Sequence, residues 1–135
     1  MSKWRCFALL ALALTLSACG GGARPGYTAQ QQTVDGLVIG LERPQQAEIL
    51  KDYELFVTLN DAAGKPVDGA IIFLDMTMPA MQMGATQPIG EGLGNGRYRI
   101  KSAFTMEGDW RVEVNATIAG KQYKATFDQP VTLQK

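Results

Sequence analysis

The chain has 135 residues, 13 of them basic, 13 acidic and none histidine. That balance offers no basic surface for nucleic acid, and the lack of histidine removes the commonest general base of catalysis. What remains is the size class of one small domain around a single hydrophobic core.

The first segment reads as an address label. Lys3 and Arg5 precede the apolar run "FALLALALTL", which ends in the small residues of "LSAC". This is the charge, apolar and cleavage order of a secretory signal, and the run is too short to span a bilayer. "LSAC" also resembles a bacterial lipobox, in which residues 1–18 are removed and Cys19 is acylated to become the new N-terminus. A plain signal peptide cut near Ala18 is the competing reading. "GGGARPGYTAQQQ" then has the glycine and glutamine content of a flexible tether, assigned here to residues 19–32. Acyl chains contribute roughly 0.8 kcal/mol per buried methylene, so two or three hold a protein durably on a membrane. Gly20, rather than aspartate, follows Cys19, which by resemblance to sorted lipoproteins favours an outer membrane and a domain facing the periplasm.

Cys6 leaves with the signal and Cys19 carries lipid, so no disulfide is available. Removing Lys3 and Arg5 from the balanced count leaves a formal charge near −2. Residues 33–135 must therefore fold on hydrophobic burial alone.

Within them, strands alternate with turns. "VDGLVIGLE" (34–42) alternates weakly, and its glycines suggest a bent edge strand. "RPQQAEILKD" (43–52) reads as a loop. "YELFVTLN" places Tyr53, Leu55, Val57 and Leu59 on one face at period two. "AIIFLDM" (70–76) is nearly continuously apolar, as in a strand buried on both faces. "RYRIKSAF" sets Tyr98, Ile100 and Ser102 against the basic stripe Arg97, Arg99 and Lys101. "WRVEVNATI" turns Trp110, Val112, Val114 and Ala116 inward, and "YKATFDQPVTL" closes the domain. Helix signals are nearly absent. Short strands at regular spacing with glycine turns predict an all-β fold, an immunoglobulin-like antiparallel sandwich of about seven strands.

One stretch carries chemistry. "DMTMPAMQMG" places Met76, Met78, Met81 and Met83 within ten positions. Thioether sulfur is a soft, neutral ligand that selects Cu(I) and Ag(I). In extended chain Met76 and Met78 share a face, as do Met81 and Met83, and a bend at Pro79–Ala80 brings the pairs together. The strand order also puts this connection at the same end of a sandwich as "FTMEGDW", so Met106 can face the run. Two other readings compete. Methionine is a flexible core filler, which suits Met76 and a Met106–Trp110 contact, and a methionine-rich loop is also an adaptable protein-binding surface. Asp75 is a weaker aid to a cation, and Asp109 reads as turn chemistry.

The succession of "DMTMPAMQMG", the Gly96–Tyr98 strand start, and Phe104, Met106, Gly108 and Trp110 resembles the YtkA-like and FixH-like domains of bacterial envelope proteins. That resemblance implies copper handling, with an oxidase assembly or metal efflux system as partner. Members often carry a histidine among the methionines; this chain has none, so the site implied here is for Cu(I). Without histidine, a usable thiol or a phosphate-binding loop, a non-enzymatic protein is expected. A carbohydrate-binding sandwich is disfavoured, since one of the two tryptophans lies in the signal.

Cys19→Ser is expected to move the protein from the detergent-rich to the aqueous phase when envelope extracts are phase-separated. Unchanged partitioning rules out the lipid anchor at this residue.

Overall fold

The computed structural model describes residues 23–81 and 84–133, in which every regular element is a strand. The expected signal peptide, Cys19 and Met83 lie outside the described residues. Nine strands follow in chain order: β1 (Tyr27–Val34), β2 (Leu37–Pro44), β3 (Ala47–Glu48), β4 (Asp52–Asn60), β5 (Ile71–Thr77), β6 (Glu91–Gly94), β7 (Arg97–Ala103), β8 (Gly108–Ile118) and β9 (Lys121–Thr132). They form two sheets, β1-β2-β4-β7-β6 and β3-β9-β8-β5. All pairings are antiparallel except the short β3–β9 ladder.

The period-two pattern becomes the core. Tyr53, Leu55, Val57 and Leu59 of β4 are buried, as are Tyr98 and Ile100 of β7 and Trp110, Val112, Val114 and Ala116 of β8. They meet across the two inner faces in one cluster with Ile72, Leu74 and Met76 of β5. Phe104 sits at its end with Trp110 edge-on at 5.4 Å and Tyr53 tilted at 6.2 Å, favourable arrangements for aromatic quadrupoles.

The all-β sandwich is as expected, with differences of detail. Tyr27–Gln32, read as tether from composition, belongs to β1, which pairs with β2 along its whole length. Asp35 and Gly36 both adopt positive φ, the two-residue hairpin turn that "DG" favours. β2 is therefore an inner strand between β1 and β4 rather than a bent edge. The expected loop at 43–52 contains the two-residue β3, and the glycine-rich stretch 90–96 contains β6. Asp109 belongs to strand β8, not to a turn.

β5 also departs from expectation. Only Ile72, Leu74 and Met76 are buried, and Ile71 is 66% exposed, because β5 is the last strand of its sheet. Its free edge is covered by the chain that follows the methionine run. The Met76 N–H donates to the Thr86 carbonyl (3.0 Å), the Met76 carbonyl accepts from the Thr86 N–H (3.2 Å), and the Leu74 N–H donates to the Pro88 carbonyl (3.0 Å). Covering an edge this way satisfies backbone groups that otherwise invite pairing with another chain.

Gly96 closes the hairpin between β6 and β7 with φ +70°, and a Cβ there would collide with the Leu59 carbonyl oxygen. The Leu59 N–H itself donates to the Gly96 carbonyl (2.8 Å). Gly96→Ala is expected to cost about 2 kcal/mol from left-handed strain plus displaced backbone, measured as a lowered urea midpoint. A midpoint unchanged from the parent contradicts this packing.

Candidate metal centre

Two crossovers between the sheets emerge at one end of the sandwich. β5 pairs with β8 from Ile71 opposite Thr117 to Thr77 opposite Arg111. The chain leaving β5 and the chain entering β8 therefore lie side by side. The first carries Met76, Met78 and Met81; the second carries Met106. The two connections share one end of the sandwich, as expected from strand order.

The methionines differ in environment. Met76 is fully buried, and its Sδ accepts a hydrogen bond from Ser102 Oγ at 3.3 Å. Met78, 6% exposed, packs inward one residue beyond β5. Its terminal methyl lies 2.6 Å from where a Cβ on Gly108 would stand, so Met78 fills the space that the glycine leaves. The Met81 N–H then donates to the Met78 carbonyl (3.0 Å), closing a turn with Pro79 and Ala80 at its centre. Proline suits the second position of such a turn, and the bend expected at Pro79–Ala80 is formed. Met81 is 46% exposed on its far side.

Met106 is partly buried against the core, and its carbonyl accepts from the Trp110 indole N–H (2.9 Å). That bond ties the loop to the aromatic cluster. Met78 and Met106 thus both pack at the rim of the core, and Met81 is nearly half exposed on the turn that follows Met78. Met76, held in the core and spent on Ser102, fits packing and not ligation. The sequence places Ser102 inward and Gly108 within the motif that resembles the family, but ties neither to a methionine. The one available signal was a polar residue at an inward position of β7.

Other polar groups do not add ligands. Asp75 faces Glu113 across the β5–β8 ladder, on the face opposite Met76, and so points away from the interior methionines. Two residues of the basic stripe are paired: Arg99 bonds Glu91 at 2.7 Å and Arg97 lies 3.9 Å from Glu42. Hydrogen bonding and charge from Arg99 hold the Glu91 carboxyl below the usual range. Among the described residues no three His, Cys, Asp or Glu side chains converge on a metal-sized site. The soft donor atoms carried by the described residues at this end are the thioether sulfurs of Met78, Met81 and Met106.

A family model described as YtkA-like matches residues 31–115, more than half of the chain and all of the segment from Met76 to Met106. No curated protein sequence matches.

Met76→Leu preserves volume but leaves the Ser102 hydroxyl without its acceptor, and is expected to destabilise by about 1 kcal/mol. Met81→Leu, on the surface, should stay within about 0.5 kcal/mol of the parent. Urea unfolding of both variants tests the contrast, and equal effects refute it.

Proposed function

This chain belongs to the YtkA-like family, and on that premise we propose that it binds Cu(I), or Ag(I), through methionine thioethers. Its role is to deliver the ion to, or buffer it for, a membrane partner such as an oxidase assembly or a metal efflux system. It is a binding protein and not an enzyme, held on the envelope membrane by lipid at Cys19 with its domain facing the periplasm.

One observation carries the reading. Met81 stands in solvent on a turn bonded to Met78, whose methyl rests at Gly108, two residues from Met106. That nearness of the two connections supports a site drawing thioethers from both of them, with Met83, two residues from Met81 in the chain, as a further donor. Thioethers carry no proton to lose, so such a site keeps its affinity in an acidic envelope where imidazole and thiolate are protonated. An exposed entry ligand above a buried rim also suits transfer, because the ion is reachable by a partner's ligands.

A second reading has its own support. Ile71 and Ile89 are 66% and 76% exposed, Leu93 and Met81 nearly half, and the Phe73–Ile89 bridge sets Ile89 beside β5. This apolar flank fits an interaction module that docks on another envelope protein with no metal. Leucine substitution separates the two, since it keeps apolar surface and removes sulfur.

The test is an anaerobic Cu(I) competition titration against a chromophoric chelator, with Cys6 and Cys19 changed to Ser so that no thiolate competes. One equivalent should bind. Met81→Leu combined with Met83→Leu should weaken binding at least about tenfold, or about 1.4 kcal/mol, with the circular dichroism spectrum unchanged, while Met76→Leu leaves it intact. Absence of binding by the folded parent refutes the copper reading, and full retention by the double variant refutes the ligand assignment.

A further inference from the structure

A second polar site lies on the flank where β1 faces β9. Arg43 ends the inward series Leu37, Ile39, Leu41 of β2 and is 7% exposed. A guanidinium so buried is costly unless its charge and donors are matched. Among the described residues no carboxylate lies within ion-pair distance of it. Its Nη2 donates to Gln30 Oε1 (3.1 Å) and its Nη1 to the Pro44 carbonyl (3.5 Å), and its Nε has no partner. Burial pulls its pKa down, and the charge of Asp128 offsets this in part.

Arg43 lines an open groove of about 420 Å³ with Gln30, Gln31, Gln32, Thr126 and Asp128. The groove is held in shape by Gln32. Its amide nitrogen donates to the Thr126 carbonyl and its oxygen accepts from the Thr126 N–H (3.2 Å), fastening β1 to β9.

The pattern of filled and empty donors identifies the ligand. Nε and Nη2 form one edge of the guanidinium, whose spacing matches the two oxygens of a carboxylate. Gln30, an exposed residue, supplies that edge with one oxygen where two are needed. We propose that this groove binds a small carboxylate, whose oxygens take the Nε–Nη2 edge of Arg43 in place of the Gln30 carboxamide. Asp128 at the groove limits the negative charge that is tolerated, which favours a monoanion over a phosphate dianion. The site involves none of the methionines and stands whether or not copper binds.

The experiment follows the arginine Nε–H resonances of the ¹⁵N-labelled full-length chain in detergent, titrated at constant ionic strength with sodium acetate or sodium phosphate. One resonance, identified by its loss in Arg43→Lys, should move saturably with acetate and not with phosphate. Gln30→Ala removes the competing acceptor and Asp128→Asn the opposing charge. Each should lower the acetate midpoint about three- to tenfold. Should Arg43→Lys fail to fold, those two surface variants still decide. No saturable shift in the parent or either variant overturns the proposal, as does an equal response to both anions or a midpoint that neither substitution moves.

Discussion

The register of β5 on β8 is the constraint on which the methionine-bearing end depends. With Met76 opposite Val112 and Thr77 opposite Arg111, the even residues of β5 enter the core and the odd ones face outward. A slip of one residue would exchange Met76 for Asp75 in the interior and put a carboxylate into the hydrophobic core. That cost makes the register unambiguous. It also sets the level at which Met78 leaves the sheet, beside Gly108 and beneath the Met81 turn.

From this follows a division of labour among residues of one type. Met76 is a core residue whose sulfur satisfies Ser102. Met78 caps the core where glycine leaves room, and Met81 stands outside. A thioether is apolar enough for the first position and polarisable enough for the last. The same side chain therefore serves both inside the end of the sandwich and on its surface. Fastening the Met106 carbonyl to the Trp110 indole joins the rim to the aromatic cluster.

The two sheets are closed differently on their flanks. Beside β5 the chain covers its own edge with residues 86–90 through backbone bonds. Beside β9 the cover is made by a side chain, Gln32, and a buried arginine stands behind it. Gln129, fully buried on β9 with an unpartnered Oε1, makes this the more polar side of the interior. Hydrophobic burial dominates elsewhere in the core; on this flank polar residues take up inward positions.

Strand alternation was legible without coordinates wherever one face is buried and the other solvated. Tyr53 to Leu59, Tyr98 to Ile100 and Trp110 to Ala116 all face as their period requires, because a strand has only two faces and water sorts the residues between them. The all-β class, the Pro79 bend and the meeting of the two methionine-bearing connections were legible for the same reason, through strand order. Three features were not. Gln30–Gln32 carry no apolar signal, and they are a strand because β2 offers an unpaired edge. "AIIFLDM" looks doubly buried, and only its place at the end of a sheet exposes Ile71. Met76, Met78 and Met81 are chemically identical in the chain, and which is core, rim or surface depends on β8, Ser102 and Gly108. The sequence by itself determined which residues can face inward, since that is local periodicity. Tertiary structure alone decided which methionine sulfurs meet solvent and which donors of Arg43 go unmatched, since exposure and pairing belong to neighbours distant in the chain.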